Sequence, residues 1–519
     1  MTESQKIASR AIGAGLWTVG MRIIVKSVDL VMLLSLARFL DVADFGLVAT
    51  AMAVVLIVEA LFELPMTLGL LRAPVLVPGM LHTAFTVSLL RGSVVAAVLL
   101  ALAWPLAVFN DEPRMTTLLA VLALAPAMRG LVNPRMVEFV RAFDFRPDAL
   151  LELVGKLVAL VLSVVIAART GSYWAIAAAT VAAPLTTTLL SYGVAPWRPR
   201  LSLTHWSYFS NLVGWNFLSQ VCTAFNWQVD RLILPRLTTT TSFGHYAMGK
   251  QISEIPSQAL LQPLLRPASA ALISSPADQR QTRYLKLSHA IVLLMLPVMG
   301  LPLLWPDVLV HLALGARWAP AAPWLRWVSV LTVLSLPVVL MPALAMTLDR
   351  TRLAMFRTLL ELLIRLPVVW WGAVNFGLAG AIAGSATASS AGTLMSMLVV
   401  RRLLGVGLGR QVRAFWRPLL AILPAVALLH ATRPLVMERD DLAAMVLLAL
   451  SFGLAYLLLY GLSVFLLWHC AGRPAGLEHH VLAFLRRHLL RLGSVVSRTF
   501  ASSSTPSNEV GKHHVEHKR

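Results

Sequence analysis

An arginine, a lysine and an aspartate stand inside an otherwise apolar segment near the start of the chain: Arg22, Lys26 and Asp29. On a helix Arg22 and Lys26 share a face, and Asp29 lies one turn beyond Lys26. With Trp17 as an interfacial anchor, a rise of ~1.5 Å per residue sets Arg22 about 7 Å, Lys26 about 13 Å and Asp29 about 18 Å into a bilayer. Charge at that depth is costly and marks a water-filled cavity, a substrate pathway or a fixed ion pair. The three residues therefore read either as a cationic cavity wall that meets an anionic substrate or as a pair in which Asp29 neutralises Lys26.

Other charges repeat the pattern. Arg129 and Arg266 are further candidate contacts for an anionic head group, with Lys250 as a third. Lys250 and Glu254 are four residues apart, which suits a cavity pair, a gate or a simple helix-stabilising pair. Glu59 and Glu63 also share a face. Two like acids so placed need a proton or a cation between them, which makes them, with Asp29 and Glu254, candidates for ion coupling or gating. Glu152 with Lys156 and Glu361 with Arg365 read as structural ion pairs, because the same acid-to-base spacing occurs twice. No nucleotide-binding loop, metal-ligand spacing or nucleophile constellation accompanies these residues.

The elements that must position them are membrane helices. Hydrophobic residues make up 58% of the 519-residue chain and charged residues 13%, too apolar a balance for a soluble protein. Fourteen spans are expected, at about 14–38, 44–71, 83–109, 115–134, 148–168, 172–194, 208–235, 243–272, 286–305, 321–347, 353–374, 378–400, 416–432 and 442–469. The first is read as a spanning helix, since it carries charge and lacks a credible signal-peptide cleavage site. The two cysteines, Cys222 and Cys470, lie far apart and suggest neither a disulfide framework nor a metal cluster. The net charge of +20 is spread over short loops, which points to a topology signal and away from nucleic acid. Lys and Arg concentrate on one set of loops, and this places both termini in the cytoplasm.

The chain also repeats itself. Leu150-Leu151-Glu152-Leu153 with Lys156 returns as Leu359-Leu360-Glu361-Leu362 with Arg365, and each copy runs on to a glycine, Gly171 or Gly377. Val28-Asp29 followed by Phe45-Gly46 returns as Val229-Asp230 followed by Phe243-Gly244. The repeat maps six spans onto the next six. The expected fold is an all-α polytopic membrane protein of about fourteen helices: a six-helix lobe over 1–200, a pseudo-symmetric second lobe over 201–404, and two extra helices over 405–472. Equal orientation of the halves implies an axis along the membrane normal and a cavity between the lobes. The second copy of the first helix holds Gln220, Cys222, Thr223, Asn226 and Gln228 but no cation before Asp230, so the cations of the cavity should lie in the first lobe. Over 473–519 a basic amphipathic helix, with Val481, Leu482, Leu485, Leu489 and Leu492 at helical spacing, should lie on the cytoplasmic surface ahead of a disordered tail.

The run Leu36-Ala37-Arg38-Phe39-Leu40-Asp41-Val42-Ala43-Asp44-Phe45-Gly46-Leu47-Val48-Ala49 resembles the first-loop signature of the Wzx-type polysaccharide flippases, as do Asp230-Arg231-Leu232-Ile233-Leu234, Phe243-Gly244-His245-Tyr246-Ala247-Met248 and Glu254-Ile255-Pro256-Ser257-Gln258 for the seventh and eighth helices. That polysaccharide transporter family belongs to the superfamily of multidrug, oligosaccharidyl-lipid and polysaccharide exporters. The resemblance implies movement of undecaprenyl-pyrophosphate-linked oligosaccharide across the bacterial inner membrane for exopolysaccharide, capsule or O-antigen synthesis. It further implies no cofactor beyond a proton or sodium gradient, and contact with membrane lipids, a polysaccharide polymerase and export proteins. It places Arg22 and Lys26 on the helix where relatives carry cavity cations. The alternatives are an organic-cation antiporter of the same superfamily, which would want an acidic cavity, and a membrane glycosyltransferase or polymerase, which would want a large outer loop that this chain lacks.

Overall fold

The computed structural model describes residues 3–64, 66–142, 144–210, 215–439, 441–474 and 478. The expected amphipathic helix and tail beyond Arg473 lie almost wholly outside the described residues. Among the described residues the chain is helical throughout, with no strand. The principal elements are α1 (Glu3–Phe39), α2 (Val42–Leu61), α3 (Pro78–Phe109), α4 (Arg114–Leu122), α5 (Leu124–Gly130), α6 (Arg146–Thr170), α7 (Trp174–Val194), α8 (Trp215–Leu237), α9 (Thr240–Pro256), α10 (Gln262–Ile273), α11 (Arg280–Leu304), α12 (Ala322–Ser335), α13 (Thr351–Leu404), α14 (Trp416–Met437) and α15 (Leu442–Cys470). Nine helices among the described residues are long and apolar enough to cross a membrane, or ten if the bent pair from Arg114 to Arg141 counts as one. The chain is a multi-pass membrane protein.

The described residues of three expected spans, 14–38, 208–235 and 243–272, are largely helical but do not form helices that meet both conditions of length and apolarity. Their polar residues have to face protein or water, because lipid offers no hydrogen bonds. Two further expected spans, 353–374 and 378–400, merge in α13, which bends at Gly377 (φ 60°, ψ −145°). Only glycine takes that backbone shape without strain. The matching Gly171 ends α6 in the left-handed region (φ 60°), and α7 restarts at Trp174. One repeated glycine thus makes the turn between the fifth and sixth helices in both halves.

Contacts repeat with the sequence. α1 packs on α6, and α8 packs on α13, so the first helix of each half rests against the fifth. The halves meet where α2 lies against α8 and α9. Asp41 caps α2 by accepting from the Val42 amide at 2.8 Å, and Thr239 caps α9 by accepting from the Ser242 amide at 3.2 Å. Just beyond each cap comes the repeated Phe-Gly. A Cβ on Gly46 would overlap the Thr240 carbonyl oxygen and reach the Gly244 nitrogen at 3.1 Å. A Cβ on Gly244 would overlap the Val42 carbonyl oxygen and reach Val42 Cγ1 at 2.9 Å. The repeat motif is therefore the close crossing of the two halves.

Around that crossing the halves are sealed. Leu33, Leu36, Leu40, Val42 and Phe45 form one buried cluster with Met248, Val310 and Trp318. Trp318 Nε1 donates to the Ala37 carbonyl at 2.9 Å, and Arg317 donates to the carbonyls of Ala37, at 3.0 Å, and Leu40. These are the carbonyls that the end of α1 would otherwise leave without partners. Arg236 pairs with Asp111 across the same end.

Ion pairs tie the first helix of each half to its neighbours, and they correct two expected pairings. Lys156 Nζ does not turn to Glu152. It reaches Asp29 Oδ1 at 2.6 Å, and Lys26 holds Asp29 Oδ2 at 3.1 Å. Glu152 is exposed and can keep its hydration, whereas Asp29 has no such recourse. Lys250 likewise bypasses Glu254 for Asp230, at 3.0 Å, with both side chains nearly buried. Tyr246 and Ser385 donate to the same carboxylate at 2.7 and 3.2 Å. The pair Glu361–Arg365 does form, at 3.0 Å, but Glu361 also takes Arg357 at 2.8 Å, and Arg365 donates to the Asn226 carbonyl at 2.9 Å. Beyond the last helix, Glu478 sits between His289 at 3.2 Å and Arg417 at 2.9 Å. Burial pushes its carboxyl up, but the His289 hydrogen bond and the Arg417 charge outweigh this and hold it below the usual range.

Two outcomes are expected in thermal unfolding of the purified protein. Gly244→Ala should cost about 1–3 kcal/mol by overpacking the crossing, while Gly453→Ala, in open space on α15, should be neutral. Equal melting temperatures for the two variants would contradict the crossing. Lys250→Met should cost about 3–5 kcal/mol by stranding buried Asp230. Lys156→Met should cost less, since Asp29 keeps Lys26 and is 23% exposed; the reverse order would be inconsistent with these pairings.

Candidate functional site

Two neighbouring cavities share one wall residue, Glu63. The first, about 320 Å³, lies within the first half and is lined by Glu59, Glu63, Arg91, Arg129, Asn133 and Asp148 among apolar neighbours. The second, about 260 Å³, lies between the halves. On one side it has Leu56 and Ala60, one face of α2, with Glu63 just past that helix's end, and on the other Gln220, Thr223, Ala224, Trp227 and Gln228, a single face of α8. Glu63 lines both cavities.

Local sequence explains how the charges come to face this space. Pro126 and Pro134 flank a break, and the helices on either side of it bend by 53°. Carbonyls freed at the break find donors on α7: Thr188 Oγ1 reaches Met128 at 2.8 Å, and Tyr192 Oη reaches Leu131 at 2.9 Å. Arg129 projects just before the break. Gly92 and Gly130 let α3 approach α5 closely, since a Cβ on Gly92 would meet the Pro126 oxygen at 2.8 Å and Gly130 Cα at 3.1 Å. Arg91, beside Gly92, therefore lines the same cavity as Arg129.

The two like acids, Glu59 on α2 and Glu63 just past its end, each take a different cation. Arg91 meets Glu63 at 2.7 Å and Arg129 meets Glu59 at 3.3 Å. The arginines remain accessible, with 27% and 46% of their side chains exposed. Such a set can hold an anion by exchange: an incoming phosphate offers each guanidinium a bidentate partner in place of the resident carboxylate.

The remaining sequence candidates do not gather here. Arg22 is exposed on α1 and lines neither cavity. Lys26 lies between the halves, bonded to Asp29 and, at 3.2 Å, to Gln258 Oε1 of the second half. Lys250 is committed to Asp230 and to the Trp227 carbonyl at 3.0 Å. Arg266 is exposed on α10, and Glu254 is half-buried on α9; neither lines a cavity. Sequence reasoning did not single out Arg91 or Trp227. Arg91 carried a usable signal, as a lone cation within the long apolar span 83–109. Trp227 carried a weaker one, in the polar stripe of α8. Among the described residues no group of three His, Cys, Asp or Glu could hold a metal.

Comparison with known proteins fits this geometry. The model of a family described as "Polysaccharide biosynthesis protein" matches residues 35–323. The succinoglycan biosynthesis transport protein ExoT of Rhizobium meliloti (strain 1021) is 24% identical over 300 residues, 56% of this chain and 59% of ExoT. The match thus spans less than two thirds of that relative's length. The lipopolysaccharide biosynthesis protein WzxC of Escherichia coli (strain K12) is 21% identical over 441 residues, 82% of this chain and 88% of WzxC. Among solved structures, the lipid II flippase MurJ in an inward closed conformation superimposes with a TM-score of 0.66 at 12% identity, over 87% of this chain and 99% of MurJ, a likeness of fold. Because the family match covers more than half of the sequence and includes the crossing and both cavities, the chain belongs to the polysaccharide biosynthesis protein family.

Proposed function

We propose that the chain is a flippase for undecaprenyl-pyrophosphate-linked oligosaccharide in the bacterial inner membrane, acting in exopolysaccharide, capsule or O-antigen synthesis. The observation that carries this reading is the pair of accessible arginines, Arg91 and Arg129, each held by one acid, Glu63 and Glu59, in a cavity that shares Glu63 with the space between the halves. Family membership and the named roles of ExoT and WzxC support it. An organic-cation antiporter would need acids free to meet its substrate, and here Glu59 and Glu63, two of the three acids lining the first cavity, each already hold an arginine.

In this reading the lobes are the two halves of the repeat, 1–200 and 201–404, with fourteen crossings and both termini in the cytoplasm. The sealed end, with Gly46 against Gly244, is the outer end, and the cavities face the cytoplasm. The pyrophosphate enters from the inner leaflet and takes Arg91 and Arg129 from their carboxylates, while the lipid tail stays in the bilayer. Lys26 stands at the edge of the entry, where its contact with Gln258 has to part. Rocking of the halves about the crossing then exposes the head group outside. No bond is made or broken. Glu59 and Glu63, displaced from their arginines, are the groups placed to couple a proton or sodium ion. A polymerase and export proteins would consume the product outside.

Leaflet-resolved transport in proteoliposomes tests this, using undecaprenyl-pyrophosphate oligosaccharide from the host strain. Wild type should move the lipid. Arg91→Gln and Arg129→Gln should each slow it by about tenfold or more without loss of fold, as expected for a lost charged contact. Absence of lipid movement by folded wild type, with gradient-driven efflux of organic cations, would overturn the reading.

A further inference from the structure

We propose that Trp227 is a sugar platform: it receives the apolar face of the first pyranose ring of the cargo, while Gln220, Thr223 and Gln228 bond that ring's hydroxyls. This inference rests on the flippase reading and adds a saccharide subsite in the second half to the anion subsite in the first.

Position carries the first part of the argument. Tryptophan in a membrane protein most often anchors an interface, but Trp227 is twelve residues into α8, about 18 Å from its start and well away from both ends. Its side chain is 53% exposed, and it lines the cavity between the halves. A large ring exposed beside Gln220, Thr223 and Gln228 in a cavity of mixed lining suits an occupant that is itself part apolar and part polar.

Composition carries the second part. The cavity face of α8 presents Gln220, Thr223, Trp227 and Gln228 over two turns. A pyranose is amphipathic in the same way, with a face of C–H groups and a rim of hydroxyls. An indole takes the face, and amides and hydroxyls, which both donate and accept, take the rim. This stripe has no charge of its own. Gln228 Oε1 accepts from Arg231 at 3.4 Å, which leaves its amide protons to donate. The charge needed for pyrophosphate comes instead from the neighbouring cavity, where Arg91 pairs with Glu63, the residue that lines both spaces.

Rigidity carries the third part. The turn bearing Trp227 is pinned from behind. Lys250 donates to the Trp227 carbonyl at 3.0 Å, Arg365 donates to the Asn226 carbonyl at 2.9 Å, and Asn226 Nδ2 donates to the Thr358 carbonyl at 2.9 Å. Asp230, one turn on, is held by Lys250, Tyr246 and Ser385. The buried network that braces α8 against α9 and α13 therefore also fixes the platform before cargo arrives, which limits the ordering cost of binding.

The test compares binding of two probes to the full chain in nanodiscs: undecaprenyl-pyrophosphoryl-glucose and bare undecaprenyl pyrophosphate. Wild type should bind the glucosyl lipid more tightly. Trp227→Ala should weaken the glucosyl lipid by about tenfold and leave the bare lipid within about twofold, while Trp227→Phe keeps most of the preference. Gln220→Leu, which leaves the ring in place, should show the same selective loss and serves if Trp227→Ala does not fold. Equal weakening of both probes, or no change in either, would overturn the platform and leave the flippase reading standing. Failure of folded wild type to bind either lipid would overturn both.

Discussion

A charge in a hydrocarbon interior has to find a partner, and the molecule is arranged around that requirement. Asp29 draws two lysines, one from its own helix and one from α6. Asp230 draws a lysine from α9, a tyrosine and a serine, with Arg365 close behind. Each aspartate stands on the first helix of its half and fastens that helix to its neighbours. Removing water from an ion is expensive enough that an unpaired one would unfold or flood the site, so these contacts fix the helices in register more than they add stability.

The two halves answer the same constraint differently, and function follows from the difference. In the second half the cations nearest α8 are committed: Lys250 and Arg365 are buried in the brace, and Arg357 is held by Glu361. What that half shows to the central space is uncharged, a tryptophan with glutamines and a threonine. In the first half Arg91 and Arg129 are paired at the wall of a cavity, where partners can be exchanged. The two copies of the repeat thus present a side lined by arginine–glutamate pairs and a neutral polar side. At Gly46 and Gly244 the backbones of the halves meet directly, with a cluster of buried side chains around the contact.

Much of this was legible in the sequence. The long apolar runs gave the all-helical membrane fold, and the repeat of Asp29 and Phe45-Gly46 as Asp230 and Phe243-Gly244 marked the two halves, although not that these residues form the crossing and the brace. Partner choice was not legible. Spacing favours i,i+4 pairs such as Glu152–Lys156 and Lys250–Glu254, because sequence shows only neighbours on one helix. Burial decides instead, and it sends both lysines to aspartates on another helix. The arginine that joins Arg129 in the cavity depends on a helix break at Pro126 and Pro134 and on contact between Gly92 and Gly130, tertiary facts with no local signature.

The central claim is that the halves part at the sealed end while cargo crosses. Its most direct test is a distance measurement by double electron–electron resonance between spin labels at Arg38 and Thr241, which flank the crossing from opposite halves, with Cys222 and Cys470 replaced by serine. The account predicts one short distance in the protein alone and a second, longer population when undecaprenyl-pyrophosphate oligosaccharide is added under turnover. A single unchanged distance in a preparation that transports the lipid would contradict it.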